Sequence, residues 1–271
     1  MRDGCFTLRE SRGIPYYSFR EFENLPFLCH GFSTRHSGIS VSDGCDFSLG
    51  NYAWHSAERI NENRHRFLSA LSLEGARLAT LRQVHSNRVH IIEDISGQWN
   101  QSEGDALATR VENVALAVQV ADCIPVLIAD PANNAVAAVH SGWRGTLSGV
   151  LLQTIKEMQR AYDSDPAQLL VAVGPGIRAC CFEVGAEVAE SFAREYPGSN
   201  TVMSLDNRPG KFLVDLVGAL DIQLNIAGVR PENRFDSGAC TCCNTDKFFS
   251  FRAEGSGSGR MMAVIGRIRK E

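Results

Sequence analysis

The sequence predicts an α/β or α+β layered fold, a single-domain mixed-sheet sandwich flanked by helices. Four segments carry the apolar periodicity of amphipathic helices, and eight short runs between them are apolar enough to form strands. Several of these runs are apolar at every position, which is typical of strands covered on both faces. No proline-rich or serine-rich linker, charge run or repeat divides the chain, so we expect one domain over residues 1–271.

The helices are predicted from the 3.6-residue period and the strands from short apolar runs. The first helix spans Ser56–Leu71 and has Ser56 as its N-cap. The other predicted helices are Thr146–Tyr162, Gly185–Tyr196 and Asp215–Ala227. The predicted strands, in chain order, are Phe27–Phe32, Val89–Glu93, Val114–Val120, Val126–Ala129, Ala135–Val139, Leu169–Val173, Phe248–Phe251 and Met262–Ile268.

Composition and charge exclude several classes of protein. With 44% hydrophobic and 21% charged residues, the sequence is that of an ordinary globular domain and not of a disordered or collagen-like chain. The net charge of −4 gives no general basic surface, so nucleic acid is not an expected partner. The most apolar stretch, residues 114–140, is interrupted by Asp122, Pro125 and Asp130, which argues against a membrane span. Residues 1–5 do not resemble a secretory signal, and we therefore expect a cytoplasmic protein with no membrane partner.

Nine cysteines are many for a chain without a recognisable export signal. Disulfides are therefore not expected, and buried, metal-bound or catalytic thiols are. The pair Cys180-Cys181 and the cluster Cys240, Cys242 and Cys243 suggest a structural zinc or iron–sulfur site. However, adjacent cysteines point apart in an extended chain, and the usual two well-spaced cysteine knuckles are missing. The pattern favours buried, unreactive thiols.

A predicted hairpin places a cysteine and a histidine together. The strands Val126–Ala129 and Ala135–Val139 flank a turn that contains proline and asparagine, so Cys123 and His140 lie toward the same end of the sheet. If His85 reaches the same point, the site holds one sulfur and two nitrogen ligands. Such a set suits Zn²⁺ and leaves a fourth position open, as in catalytic zinc sites.

The residues around these three positions allow two kinds of chemistry. Gln83, Asp122 and Arg144 flank the ligands in sequence and can orient them. In the metal interpretation, zinc activates water or phosphate for attack. In the metal-free interpretation, Cys123 is a nucleophile whose pKa is lowered by His140, which also acts as the base. Residue types and spacing leave both interpretations open.

The glycine-rich stretches predict turns and no nucleotide-binding loop. The stretch after Leu169–Val173 does not match a GxGxxG or Walker pattern. The Gly/Ser stretch at residues 255–259 is expected to be a hairpin loop between Phe248–Phe251 and Met262–Ile268. Arg252 and Arg260 flank this stretch and are suited to binding an anion.

Ten short segments, in this order, resemble the laccase-domain family, whose members are known as multicopper polyphenol oxidases and as purine nucleoside phosphorylases and include the bacterial YfiH/YlmD type. The matching segments are Gly31-Phe32-Ser33-Thr34-Arg35, Asn63-Arg64, Gln83-Val84-His85, Gly104-Asp105-Ala106, Ala121-Asp122-Cys123-Ile124-Pro125, His140-Ser141-Gly142-Trp143-Arg144-Gly145, Gly174-Pro175 through Cys181-Phe182-Glu183-Val184-Gly185, Asp215-Leu216, Cys240-Thr241 and Phe248-Phe249-Ser250-Phe251-Arg252. They span nearly the whole chain, and the ordered set is highly specific.

The resemblance implies an intracellular enzyme that holds zinc with the residues matching His85, Cys123 and His140, which are then also its catalytic residues. It implies phosphorolysis of adenosine, inosine, guanosine and 5′-methylthioadenosine to the free base and ribose 1-phosphate, with deamination of adenosine as a second activity. The expected partners are purine nucleosides and phosphate, and the expected state is a monomer or small homo-oligomer. The implied fold is related to the catalytic domain of cytotoxic necrotizing factors.

The matching segments also nominate substrate-binding residues. Arg35, Arg144 and Arg252 are expected to face the phosphate or ribose, because a guanidinium group suits an anion. Gln83 and Asp122 are expected to contact the substrate as well.

Two positions depart from the family pattern. Family members usually have Asn-Leu-Gly followed by an acidic residue where this chain has Ser48-Leu49-Gly50 and His55. The tyrosine usual before Arg252 is Phe251 here, which removes a hydroxyl group from that point. All three metal positions match the family.

Three alternative functions follow from the same residues. A copper-dependent polyphenol oxidase (laccase) needs a histidine-rich cluster that seven scattered histidines do not readily supply, although copper can occupy a Cys/His₂ site in vitro. A Cys/His amidase would edit a mis-made UDP-muramoyl–amino acid in peptidoglycan synthesis. A non-enzymatic protein would use the same cluster as a structural zinc site.

Overall fold

Two six-stranded sheets, a small third sheet and seven helices make up the described part of the chain. The computed structural model describes residues 1, 6–37, 47–50, 56–205 and 207–268, so Cys5, Cys45 and His55 lie outside the described residues. The strands are β1 (Phe6–Ser11), β2 (Ile14–Phe19), β3 (Leu28–Ser33), β4 (Arg77–Ala79), β5 (Val89–Ile92), β6 (Ala106–Thr109), β7 (Val114–Val120), β8 (Ile124–Asp130), β9 (Ala135–Ser141), β10 (Leu170–Val173), β11 (Glu183–Gly185), β12 (Val202–Ser204), β13 (Lys211–Val214), β14 (Arg234–Asp236) and β15 (Met261–Arg267). The helices are α1 (Arg20–Glu23), α2 (Ala57–Ala70), α3 (Trp143–Leu147), α4 (Val150–Tyr162), α5 (Ala186–Glu195), α6 (Leu216–Ala227) and α7 (Phe251–Glu254). Among the described residues, no helix combines the length and the apolar character that crossing a bilayer requires.

Both large sheets are mixed. The first sheet has the strand order β1-β2-β3-β15-β7-β4, and the second has the order β14-β10-β8-β9-β6-β5. Neighbouring strands in them are antiparallel except for β4 with β7, β5 with β6 and β10 with β14, which are parallel. The third sheet has the order β11-β13-β12.

The two large sheets pack face to face, and helices cover their outer faces. Leu116 of β7 and Leu127 of β8 are fully buried in the layer between the sheets. Phe67 of α2 packs outside the first sheet in a cluster with alternate residues of β7 and β15. Ile155 of α4 and Leu220 of α6 pack in the same way outside the second sheet. Because both faces of the central strands are covered, these strands are apolar at successive positions, and the predicted sandwich flanked by helices is confirmed.

The predicted helix Thr146–Tyr162 is confirmed from Val150 onward as α4, and the predicted strand Phe248–Phe251 was wrong. The helix is interrupted, because Gly149 between α3 and α4 has a φ of +74°, which a right-handed helix cannot continue. Ser250 caps α7 in place of extending a strand, and its hydroxyl accepts a hydrogen bond from the backbone N–H of Ala253 at 3.3 Å. The stretch 255–259 is therefore not a hairpin loop, and it leads from α7 through a 3-10 turn into β15.

Candidate active site

The hairpin of β8 and β9 brings Cys123 and His140 together, as the sequence predicts. The strands are antiparallel, with Val126 opposite Val139 and Pro125 opposite His140. Cys123 directly precedes β8, while His140 is the penultimate residue of β9. The register therefore places the thiol and the imidazole at the same end of the second sheet.

His85 completes the group from a third segment of the chain. It follows β4 in a left-handed backbone conformation, with a φ of +59°. Its Nε2 lies 3.7 Å from Sγ of Cys123, and its ring centroid lies 4.9 Å from that of His140. One donor atom from each of the three residues lies within 4.8 Å of the others. The structure thus gathers the predicted ligand set.

A buried carboxylate that the sequence analysis did not nominate holds this group in place. Asp105, directly before β6, is fully buried and accepts hydrogen bonds from Nδ1 of His140 at 2.8 Å and from the backbone N–H of His85 at 2.9 Å. The backbone N–H and the hydroxyl of Ser86 donate to it at 2.6 and 2.7 Å. Burial raises the pKa of Asp105, but these donors outweigh burial and lower it to about 2. The available sequence signal was the segment Gly104-Asp105-Ala106, one of the ten that match the family.

Cys123 and His140 favour each other's charged form. Burial lowers the pKa of His140, but the Cys123 thiolate and then Asp105 outweigh burial and raise it above its ordinary value. Burial raises the pKa of the Cys123 thiol, but the imidazole of His140 and then that of His85 outweigh burial and lower it. The thiolate is the form that binds metal ions and attacks electrophiles, so the sulfur is prepared for either chemistry.

The three side chains fit a single metal ion. Nδ1 of His140 is occupied by Asp105, which leaves Nε2 as its ligand atom, and Nε2 of His85 is the atom nearest Cys123. A carboxylate bonded to the second nitrogen is the usual outer partner of a metal-binding histidine. Two nitrogen ligands and one sulfur ligand suit Zn²⁺ and leave its fourth tetrahedral position open.

This group lines a cavity of about 580 Å³, a volume within the range of small-ligand sites. The rings of Trp143, Phe182 and Phe251 and the side chains of Arg252 and Arg260 also line it. The guanidinium carbon of Arg252 lies 5.4 Å from the Phe182 ring centroid, and that of Arg260 lies 5.9 Å from the Phe251 ring centroid. The cavity therefore presents aromatic, cationic and metal-binding groups to a single ligand.

Three of the five predicted substrate-binding residues line the cavity: Gln83, Asp122 and Arg252. The amide of Gln83 donates to the backbone carbonyl of Gln119 at 2.8 Å and accepts from its N–H at 2.7 Å. The carboxylate of Asp122 accepts from the hydroxyl of Thr241 at 2.7 Å and from the backbone N–H of Arg252 at 2.6 Å. Gln83 and Asp122 thus join separate segments of the cavity wall.

The other two predicted residues, Arg35 and Arg144, do not line this cavity. The Arg35 guanidinium bonds Glu254 at 2.8 Å and lies 4.8 Å from the Phe249 ring centroid, so it supports the segment that follows Arg252. Arg144 is exposed and stacks at 4.2 Å on Trp143, which does line the cavity.

The chain matches the family whose model is described as "Multi-copper polyphenol oxidoreductase laccase" over residues 29–268. It is 35% identical over 242 residues to a purine nucleoside phosphorylase of Deinococcus radiodurans, with 89% of this chain and 90% of the relative covered. It is 34% identical over 239 residues to adenosine deaminase RL5 of an unknown prokaryotic organism, with 86% and 88% covered. The crystal structure of YlmD from Geobacillus stearothermophilus matches with a TM-score of 0.86 and 28% identity over 98% of this chain and 99% of that one. Since the family match spans most of the chain and the relatives exceed 30% identity along it, the chain belongs to the multi-copper polyphenol oxidoreductase laccase family.

Proposed function

We propose that this chain is a zinc-dependent purine nucleoside phosphorylase that also deaminates adenosine. The observation that carries the proposal is the convergence of His85, Cys123 and His140 on a cavity that also holds arginines and aromatic rings. A purine nucleoside supplies an aromatic base and phosphate supplies an anion, and the cavity has groups that bind each. The names of the two relatives, purine nucleoside phosphorylase and adenosine deaminase, support the same activities.

Arg252 is the residue best placed to bind phosphate. Its backbone N–H is held by Asp122 at 2.6 Å and its Nη1 donates to the carbonyl of Cys181 at 2.8 Å, so the guanidinium is oriented before substrate arrives. In phosphorolysis, a phosphate oxygen forms a bond to C1′ of the ribose while the bond from C1′ to the base nitrogen breaks. The leaving base carries the electron pair of the broken bond and takes up a proton.

Phe182 and Phe251 line the cavity and supply aromatic surface for the purine, and His85, Cys123 and His140 line the same cavity. When bound, zinc supplies a Lewis acid beside the substrate. Deamination replaces the C6 amino group by an oxygen from water and releases ammonia, so it requires C6 to lie near His85 and Cys123. Phosphorolysis requires C1′ to lie near the bound phosphate. The two activities therefore need the nucleoside in different positions within one cavity.

Copper is a second candidate metal, because the description of the family names it. Divalent-metal affinity generally peaks at Cu²⁺, so a Cys/His₂ site also accepts copper. Among the described residues, the groups able to hold a metal are this one and a cluster of four cysteines. Neither resembles the histidine-rich cluster with which a multicopper oxidase reduces oxygen, so the proposal is zinc chemistry.

Product analysis of protein with measured zinc content tests the activity. We expect adenosine and inosine to give free base and ribose 1-phosphate only when phosphate is present, and adenosine to give inosine with or without it. Cys123→Ser is expected to lower kcat/KM by ~10²-fold or more, because it removes a metal ligand. The control is Cys29→Ser, which changes a free, half-buried thiol in β3 and should keep full activity.

A folded, zinc-loaded protein that leaves nucleosides unchanged would contradict the proposal. Release of an amino acid from a UDP-muramoyl substrate by that same protein would then favour the amidase. Oxidation of a polyphenol by the copper-loaded form, lost in Cys123→Ser, would favour the oxidase.

Kinetics of arginine variants test the assignment of the phosphate site. Loss of a charged hydrogen-bond donor removes ~1.5–3 kcal/mol of binding, so Arg252→Ala is expected to raise the KM for phosphate by ~10-fold or more. Arg160→Ala changes an arginine of α4 whose side chain is 75% exposed and is expected to have no effect. Equal KM values for phosphate in both variants would remove Arg252 from the phosphate site.

A further inference from the structure

A second group of sulfur atoms lies outside the cavity. Cys180 and Cys181 follow β10, and Cys240 and Cys243 follow β14. Sγ of Cys243 lies 3.6 Å from that of Cys180 and 3.3 Å from that of Cys181, and the two adjacent cysteines have their sulfur atoms 3.7 Å apart. All four sulfur atoms lie within 4.8 Å of one another. None of the four side chains lines the cavity described above.

The backbone explains how adjacent cysteines face one point. Cys180 and Cys181 would point apart only if this part of the chain were extended. In the structure they lie in a turn, in which the backbone N–H groups of Cys181 and Phe182 both donate to the carbonyl of Arg178 at 2.9 Å. Both sulfur atoms therefore lie on the side that Cys243 occupies. The prediction that these thiols are buried is wrong for Cys180 and Cys243, which are exposed.

We propose that Cys180, Cys181, Cys240 and Cys243 bind a structural zinc ion that is separate from the metal of the cavity. Four thiolates at the Zn–S distance of ~2.3 Å form a tetrahedron whose sulfur atoms are ~3.8 Å apart. The separations of 3.3, 3.6 and 3.7 Å among Cys180, Cys181 and Cys243 are close to that edge, and the sulfur of Cys240 lies within 4.8 Å of the other three.

The same distances argue against the other uses of four cysteines. A disulfide needs sulfur atoms ~2.05 Å apart, whereas the nearest pair is 3.3 Å apart and all four thiols are free. An iron–sulfur cluster inserts several iron and sulfide ions between its cysteine ligands and spreads them more widely than one ion does. A single tetrahedral ion fits the space that these sulfur atoms enclose.

Charge and access also suit a metal. Binding converts four thiols to thiolates and releases four protons, which gives the site a net charge of about −2. Cys240 is buried while Cys180 and Cys243 are exposed, so an ion can enter from the surface.

The ion would tie together two loops that build the active site. The loop with Cys180 and Cys181 continues into Phe182, which lines the cavity. The loop with Cys240 continues into Thr241, whose hydroxyl holds Asp122 at 2.7 Å. Arg252 donates a hydrogen bond to the carbonyl of Cys181 at 2.8 Å, so the position of its guanidinium depends on the loop that holds Cys180 and Cys181. The site therefore acts on the cavity wall and makes no contact with substrate.

Metal content and cobalt spectra test this proposal without an activity assay, so its failure is distinguishable from failure of the proposed function. The wild-type chain is expected to hold about two zinc ions, one in each cluster. Cys243→Ser and Cys123→Ser are each expected to lose about one. Cobalt bound to the Cys123→Ser variant should show the intense thiolate charge-transfer absorption of a four-sulfur site, and that absorption should vanish when Cys243→Ser is added.

Cys242→Ser is the matched control, because Cys242 adjoins Cys243 but lies outside the group of four. It is expected to keep the metal content and cobalt spectrum of the wild type. A folded Cys123→Ser protein without zinc and with all remaining thiols reactive would overturn the proposal. Loss of the ion in Cys242→Ser but not in Cys243→Ser, or a disulfide among the four cysteines detected by mass spectrometry, would overturn it as well.

Discussion

At the scale of single residues, Asp105 governs the candidate active site although it does not face the cavity. Its carboxylate accepts hydrogen bonds from Nδ1 of His140, from the backbone N–H of His85 and from both donors of Ser86. We expect Asp105→Asn to weaken zinc affinity by ~10–100-fold, because the amide cannot accept all of these bonds and His140 loses its orientation. Competition with a chromogenic chelator measures the affinity directly.

The control for this substitution is Asp130→Asn. Asp130 is also buried, and it accepts backbone N–H groups of Ala132 and Asn133 at 3.0 and 3.1 Å at the far end of β8. This variant is expected to lose stability but to keep its zinc affinity. If the two variants bind zinc equally well, Asp105 does not organise the site.

His30 makes stability depend on pH at a point away from the proposed metal site. It is buried in β3, and its Nε2 accepts the backbone N–H of Phe19 at 2.9 Å. Burial outweighs the opposing effect of Glu23 and lowers the pKa of His30 from 6.5 to about 4. As the pH falls, the unfolded chain therefore binds this proton at a higher pH than the folded chain does. The contribution of His30 to the free energy of unfolding is complete above the unfolded pKa. It is lost as the pH drops from about 6.5 to about 4, which lowers the free energy of unfolding by up to ~3 kcal/mol.

We expect His30→Gln to remove this part of the pH dependence, since glutamine keeps an acceptor and does not titrate. The free energy of unfolding in urea, measured at several values between about pH 7 and pH 4, should fall less steeply than in the wild type. His65→Gln changes an exposed histidine of α2 and should follow the wild-type curve. Parallel curves for all three proteins would show that His30 is not held neutral by the fold.

At the scale of elements, the start of α3 is packed against His85 and Cys123, two of the proposed metal ligands. Gly142 is its N-cap, and a Cβ there would lie 2.5 Å from Cδ2 of His85 and 3.0 Å from Sγ of Cys123. Gly185 is the N-cap of α5 and has nearly the same backbone conformation, with φ −80° and ψ 172°, whereas Gly142 has φ −76° and ψ 172°. A Cβ at Gly185 would meet nothing within 4 Å. The two glycines differ in their surroundings and not in conformation.

Gly142→Ala is therefore expected to displace His85 and to lower both zinc affinity and kcat/KM by ~10-fold or more, because a ligand misplaced by about 1 Å no longer fits. Gly185→Ala changes the same type of cap and is expected to leave both unchanged. Zinc titration and steady-state kinetics on the two variants make the comparison. Wild-type zinc affinity in Gly142→Ala would mean that the first turn of α3 can move away from the ligands.

Most of the elements that the sequence predicts have an apolar pattern that reflects burial, although β6 is fully buried and was not predicted. The central strands β7, β8, β9 and β15 and the helices α2, α5 and α6 are predicted to within a few residues. The unpredicted strands lie mostly at sheet edges or in the third sheet, and half-exposed residues such as those of β1 lack a continuous apolar run. The pairing of Cys123 with His140 follows from a local hairpin, whereas His85, Asp105 and the four cysteines come together through long-range packing that no local pattern encodes.

At the scale of the whole molecule, the layer between the two large sheets makes them one unit. Leu116 of the first sheet and Leu127 of the second share a single buried cluster. The chain crosses between the sheets repeatedly, since β7 and β15 belong to the first while β8, β9 and β14 belong to the second. If either sheet unfolded, the apolar inner face of the other sheet would be exposed to water. We therefore predict one cooperative unfolding transition for the domain.

Leu116→Ala tests this coupling. Truncating a fully buried leucine is expected to lower the free energy of unfolding by ~2–5 kcal/mol, whereas Leu8→Ala, at a leucine of β1 that is 55% exposed, is expected to change it by less than ~0.5 kcal/mol. Hydrogen exchange in increasing urea follows peptides of β15 for the first sheet and of β9 for the second. If residues 1–271 form one domain, Leu116→Ala lowers the urea midpoint for exchange of both peptides equally, although the truncated side chain belongs to only one sheet. A shift confined to β15 would mean that the sheets unfold separately and that residues 1–271 hold two domains.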